Sequence, residues 1–317
     1  MENKILQGDS LDVLKTLPDE SVDCIITSPP YFGLRDYMEK KQIGREKRLE
    51  DFIDNLLCIT LELKRVLKKT GVMFWNHGDS YANRNTTLDG GAQPAQGRGR
   101  KGAAGRIYLP DYPEKSLLLQ AHRLSIKMID EQGWVLRNII IWHKPSCMPS
   151  PAKDRFSVDY EPIFFFSKQK RYYFKQQFEP FQSNDYDLRR MAGESKVYNG
   201  KWSKESQNKV AVPGDRAHIQ KAFVGGSEGG RNKRCVWSIN TQSFSDAHFA
   251  TFPESLVEPM VAAGCPPGGL VLDPFMGSGT TAIVAKKLSR DYLGIELNPD
   301  FIKIAEKRIS NTPSPLF

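Results

Sequence analysis

Hydrophobic positions fall in short blocks whose spacing changes along the chain. Val22 to Ile26 is a short, largely apolar run closed by Thr27-Ser28-Pro29-Pro30, which predicts a buried strand stopped by prolines. From Leu49, apolar residues recur largely at helical steps through Phe52, Ile53, Leu56, Leu57, Leu63, Val66 and Leu67, so one amphipathic helix is expected up to Gly71. A strand over Val72 to Trp75, a helix over Ser116 to Glu131 and a strand over Val135 to Trp142 come next. Ile163 to Phe166 and Tyr172 to Phe174 read as paired strands. The final third alternates: helix Glu254 to Ala263, strand Leu270 to Leu272, helix Thr280 to Leu288, strand Tyr292 to Ile295, helix Pro299 to Ile309. This alternation predicts an α/β fold with a doubly wound, mostly parallel sheet whose ligands sit at the carboxyl ends of the strands.

Two stretches break the pattern. Gly90 to Arg106 is rich in Gly and Ala with four basic residues and no acid, so it cannot bury a core and reads as a mobile loop. Gln176 to Arg234 is polar and basic and reads as an inserted recognition region. Charge sharpens that expectation. Residues 168–234 hold 15 Lys/Arg against 7 Asp/Glu, an excess equal to the +8 of all 317 residues, so the remainder is neutral. A basic insert on a neutral body suits a polyanionic partner, and equally a solvated face. No apolar run approaches the roughly 18 residues of a membrane span. The opening MENKILQGDS lacks the apolar stretch of a secretory leader, so cytosolic residence is the default. The five cysteines are scattered without a CxxC pair, which argues against a disulfide framework or zinc knuckle.

Two constellations carry chemistry. In the first, the strand from Leu270 runs into Asp273-Pro274-Phe275-Met276-Gly277-Ser278-Gly279-Thr280, with Glu296 closing the next strand. Glycines let backbone approach a ligand, and an acid 23 residues after Asp273 can accept both hydroxyls of a ribose, so the stretch reads as a nucleoside-cofactor site, the alternative being a helix-start glycine turn that holds no ligand. Gly277, Gly279 and Ala282 also satisfy the dinucleotide pattern of nicotinamide or flavin enzymes. The second is Thr27-Ser28-Pro29-Pro30-Tyr31. Two prolines remove two donors and leave outward carbonyl acceptors, Ser28 adds an acceptor, and Tyr31 adds a flat face, a corner suited to a planar ring bearing an amino group. By itself it could equally be an ordinary Pro-Pro turn.

Together, TSPPY and DPFMGSGTT resemble the amino-methyltransferases that act on DNA, with a Rossmann-like methyltransferase sheet. Asp9 in Gly8-Asp9-Ser10, the run Leu63 to Lys68, Ile141 to Lys144 with Tyr160-Glu161, and His248 to Pro253 are similar to other segments of that family. The corner lies 242 residues before Asp273, the order of the circularly permuted beta group, which keeps a target-recognition region between the two. The resemblance implies a catalytic half over 1–167 with a basic loop near 84–108, a recognition insert over 168–234 and a cofactor half over 235–317.

It further implies S-adenosyl-L-methionine as cofactor, with Asp9, Phe249, Thr251, Asp273, Pro274, Phe275, Gly277, Ser278, Gly279, Thr280 and Glu296 around it. Ser28, Pro29, Pro30 and Tyr31 would grip a nucleobase everted from double-stranded DNA, with direct in-line transfer to its amine. Arg98, Arg100, Lys101, Arg106, Arg189 and Arg190 are the phosphate-contact candidates. No metal is implied. In the resembling family Ser at the first corner position goes with cytosine N4, and Asp or Asn with adenine N6, which makes N4 of cytosine the expected target. Methylation at cytosine carbon 5 would need a nucleophilic cysteine after proline, and no Pro-Cys dipeptide occurs. The family is prokaryotic or phage-encoded and cytoplasmic, and admits a cognate restriction endonuclease as a separate protein and a homodimer. Competing expectations are an N6-adenine enzyme, a nicotinamide-dependent oxidoreductase, a catalytically silent DNA-binding module and a protein-glutamine methyltransferase.

Overall fold

The computed structural model describes residues 3–33, 42–82, 109, 111–180, 231–241 and 252–313. The chain divides into two compact units, Met1–Lys175 with Cys235–Phe317, and Gln176–Arg234. In the second unit, β6 (Phe178–Glu179) pairs antiparallel with β7 (Arg231–Asn232), and the Glu179 carboxylate accepts from Arg231 at 2.9 Å and Arg234 at 2.6 Å.

The first unit is built on β1 (Lys4–Gln7), β2 (Val22–Thr27), β3 (Leu67–Asn76), β4 (Val135–His143), β5 (Tyr160–Ser167), β8 (Val236–Ser238), β9 (Leu270–Asp273) and β10 (Asp291–Glu296). They form one sheet in the order β1-β10-β9-β2-β3-β5-β4-β8. All neighbours run parallel except β5, which is antiparallel to both β3 and β4. Helices α1 (Ser10–Leu14), α2 (Leu49–Val66), α3 (Gln120–Gln132), α4 (Glu254–Gly264), α5 (Thr280–Lys287) and α6 (Pro299–Ser310) connect them, giving the doubly wound α/β architecture.

The two-residue period of the strands sorts the core into two layers. Ile25, Met73 and Trp75 face one way and pack with Phe52, Leu56 and Leu63 of α2 and with Leu124 and Met128 of α3. Cys24, Ile26, Val72 and Phe74 face the other way and pack with Leu256 and Val261 of α4, Ile283 of α5 and Ile309 of α6. Because both faces are covered, the apolar residues Cys24, Ile25 and Ile26 of β2 stand consecutively rather than in alternation.

Three local differences from the sequence expectation have physical causes. α2 ends at Val66, not Gly71: the backbone turns extended at Leu67, which pairs with Val22, so β3 starts five residues early. Gly71 therefore lies inside the strand, where a Cβ would stand 3.0 Å from the Asp23 carbonyl. α3 starts at Gln120 rather than Ser116 because Lys115 and Leu119 hold positive φ angles. Tyr172 to Phe174 forms no strand; the Tyr173 amide reaches the Thr70 carbonyl at 2.8 Å instead. No helix among the described residues is long and apolar enough to cross a membrane.

Candidate active site

Strands β2 and β9 are neighbours, so the corner after β2 and the glycine turn after β9 leave the sheet at the same edge. The Thr27 hydroxyl donates to Asp273 Oδ1 at 2.7 Å, joining positions 246 residues apart. The Ser10 hydroxyl ties the start of α1 to the same turn by donating to the Pro274 carbonyl at 2.6 Å. Asp9 caps α1, accepting from the Leu11 and Asp12 amides at 2.9 and 3.2 Å. Phe275 stands edge-on to Trp75, with ring centroids 6.5 Å apart.

Asp273 is buried and both of its oxygens are bonded, Oδ1 to the Thr27 hydroxyl and the Phe275 amide and Oδ2 to the Thr281 hydroxyl at 2.6 Å. Burial pushes its pKa up to about 6, against the pull of those donors. Its side chain therefore fixes the shape of the turn from inside. Glu296 ties the same turn to the end of β10: Oε2 accepts from the Gly277 amide at 2.8 Å and Oε1 from the Asn298 amide at 2.9 Å.

The two glycines of the turn do different things. Gly277 has φ +52°, and a Cβ there would meet nothing nearer than the Phe275 carbonyl at 4.0 Å, so the space over it is open to a ligand. Gly279 has φ +84° and backs onto α6, where a Cβ would come within 2.9 Å of the Ala305 Cβ. Arg308 of α6 holds the turn between them, donating to the Ser278 carbonyl at 2.6 Å and hydroxyl at 2.7 Å and to the Thr280 hydroxyl at 3.3 Å.

At the corner, Pro29 is buried while Ser28, Pro30 and Tyr31 are half-buried. The Tyr31 hydroxyl donates to Glu161 Oε2 at 3.0 Å and lies 3.2 Å from Ser28 Oγ. Asn76 Nδ2 lies within hydrogen-bond range of all three oxygens, at 3.0 Å from Glu161, 3.1 Å from Tyr31 and 3.4 Å from Ser28. Lys144 pairs with the other Glu161 oxygen. Since the single phenolic proton goes to Glu161, Ser28 is the donor toward Tyr31, and toward any further partner its oxygen acts as an acceptor, as it does toward Asn76. Asn76 Oδ1 is buried without a hydrogen-bond partner among the described residues. Burial and the Glu161 charge together raise the Tyr31 pKa, so the phenol keeps its proton.

Behind the corner, the His77 ring stacks on Tyr31 with centroids 5.0 Å apart and planes 18° off parallel. Trp75 Nε1 donates to His77 Nδ1 at 3.3 Å, which puts the imidazole proton on Nε2, facing Gln120 Oε1 at 3.3 Å. Burial holds the His77 pKa down at about 4, so the ring is neutral. Gln120 Oε1 also accepts the Phe32 amide at 3.0 Å, immediately after Tyr31.

Sequence reasoning singled out neither Asn76, His77 nor Gln120. Asn76 and His77 stand at the carboxyl end of β3, where the rule for parallel sheets puts ligands, and that was the available signal. Gln120 carried none. Phe249, Thr251, Arg98, Arg100, Lys101, Arg106, Arg189 and Arg190 lie outside the described residues.

Comparison with known proteins supplies an independent result. A DNA methylase family model, covering enzymes of the N6 and N4 amino type, matches residues 22–307. The type II methyltransferase M.Cfr9I of Citrobacter freundii is 38% identical over 309 residues, spanning 96% of this chain and 87% of that protein. M.SmaI of Serratia marcescens is 36% identical, spanning 96% and 90%. Among solved structures, the PvuII DNA methyltransferase (cytosine-N4-specific) superposes with a TM-score of 0.62 at 22% identity, over 99% of this chain and 89% of that one. A Thermus thermophilus protein assigned as a DNA modification methylase, solved with S-adenosyl-L-methionine, gives 0.60 at 23% identity, over 99% and 96%.

Proposed function

This chain belongs to the DNA amino-methyltransferases of the beta group, and from that premise we propose that it methylates N4 of cytosine in duplex DNA. The cofactor of the family is S-adenosyl-L-methionine, which supplies a methyl group already activated by its sulfonium. The residues present suit it: the open space over Gly277 admits a ligand to the backbone, and Glu296, a carboxylate closing β10 beside that turn, is the kind of acceptor a ribose hydroxyl takes. Gly277, Ser278 and Glu296 would hold it, with Asp273, Gly279 and Thr280 shaping the turn beneath.

The observation that carries the reading is the orientation of Ser28. With its proton committed to Tyr31, Ser28 meets an exocyclic amine as an acceptor only, and draws an N–H of that amine toward itself. The amine lone pair is then free to point along the path of in-line transfer, so positioning rather than covalent catalysis lowers the barrier. His77 covers one face of Tyr31, so an everted base would stack on the other. Cytosine is favoured over adenine because the corner opens on the hydroxyl of Ser28, where Asp or Asn marks adenine enzymes of the family. The fold neighbour named as cytosine-N4-specific supports the same choice.

Digestion of DNA modified by the purified protein, followed by nucleoside mass spectrometry, tests this directly. N4-methylcytosine is the expected product; N6-methyladenine would keep the enzyme class and overturn the base assignment.

A further inference from the structure

We propose that the loop between β4 and β5 is a wedge for duplex DNA, with Phe156 as the side chain that enters the stack where the target base has left. Phe156 is 95% exposed and Met148 79% exposed on this one loop. An aromatic ring in water forgoes a large burial gain, and a slack loop would let it fold back. This loop is held at several points. Its base closes through the Lys144 amide and the Asp159 carbonyl at 2.7 Å, and Ser146 bonds Asn240 at 3.1 Å. Asp154 pairs with Lys115 at 2.7 Å, and the Arg155 guanidinium sits 4.0 Å over the Tyr81 ring.

Those anchors flank the corner. At the base of the loop, Lys144 pairs with Glu161, which accepts the hydrogen bond of the Tyr31 hydroxyl. At its far side Tyr81 follows Ser80, whose hydroxyl donates to the Phe32 carbonyl at 3.4 Å. Phe156 therefore projects from a clamped arch beside the notch that would receive the base, with Lys153 and the ring-stacked Arg155 adding positive charge close by in the chain. The occupant matching an apolar tip between cations is a base stack inside a phosphate backbone, and Phe and Met are among the side chains that wedge between base steps.

The inference rests on the eversion step proposed above, and the test separates the two. Phe156→Ala and Phe156→Leu are assayed on the mapped target duplex and on the same duplex with an abasic position opposite the target base, where eversion costs less. Phe156→Ala is expected to lose roughly tenfold to a hundredfold in kcat/KM on the paired duplex and to return near the wild-type rate on the abasic one. Phe156→Leu should retain most activity on both, and calorimetric cofactor binding should be unchanged for each variant. Equal losses on both duplexes, or no loss on the paired one, overturn the wedge. If the wild type itself gives no fluorescence rise from a pyrrolocytosine at the target position, eversion fails and the wedge fails with it.

Discussion

The Glu161 carboxylate meets the Tyr31 hydroxyl at 3.0 Å, and because a phenol has one proton to give, this contact sets the direction of the neighbouring hydrogen bond to Ser28. A residue on β5 thereby governs what a residue after β2 offers to substrate, without touching the substrate.

Replacing Glu161 by Gln keeps the shape but adds a donor, so Tyr31 can turn its proton toward Ser28 and consume one of the lone pairs there. Glu161→Gln should lower the single-turnover rate roughly tenfold to a hundredfold, the worth of one charge-assisted hydrogen bond. Calorimetric affinity for S-adenosyl-L-methionine should stay at the wild-type value. A parallel fall in that affinity would assign Glu161 to general scaffolding.

Glu296→Ala removes the group proposed to take the ribose, and also the acceptor for the Gly277 and Asn298 amides. Its cofactor dissociation constant should rise by roughly tenfold to a hundredfold. Unchanged calorimetric binding would contradict the role of this carboxylate.

The two turn glycines should fail in different assays. At Gly279 an alanine Cβ collides with Ala305, so Gly279→Ala should reduce the urea midpoint of unfolding by an amount equivalent to about 1–3 kcal/mol. At Gly277 the added methyl enters open space in a backbone conformation costing about 1–2 kcal/mol, so Gly277→Ala should fold and bind cofactor more weakly. Identical behaviour of the two variants would show that neither faces the ligand.

Two buried groups act oppositely on stability as pH changes. Asp273, at about 6, binds a proton more readily folded than unfolded, so its contribution falls as pH rises from about 4 to 6. His77, at about 4, binds its proton less readily folded, so its contribution is lost as pH falls from 6.5 toward 4. Each amounts to a difference on the order of 3 kcal/mol. Relative to wild type, Asp273→Asn should therefore improve on going from pH 4 to 7, and His77→Gln should worsen. Urea unfolding across that range checks both slopes; slopes of the same sign would show that one of the two groups titrates elsewhere.

The sequence makes the long elements and the two motifs legible because both are local. Apolar spacing marks α2, α4 and α6, and consecutive residues spell out the corner and the turn. What it hides is set by distant partners. The start of α3 depends on Asp79, whose carboxylate accepts the Leu119 amide at 2.8 Å from 40 positions away. Gly71 looks like a helix stop but serves a close approach inside β3. β1 has four residues and α1 five, too few to show a period. Asn76 and Glu161 enter the site only because β3 and β5 lie side by side, Asn76 against Ile163, a pairing that no spacing announces.

The interleaving of early and late strands has a consequence for biosynthesis. β2 sits between β3 and β9, so one of its edges stays unpaired while the ribosome is still translating, until the stretch from Leu270 onward has emerged. Until then Thr27 has no Asp273 to bond, and a nascent or prematurely terminated polypeptide holds the notch without the cradle. Competence for methyl transfer thus waits for β9 and β10 to emerge from the exit tunnel.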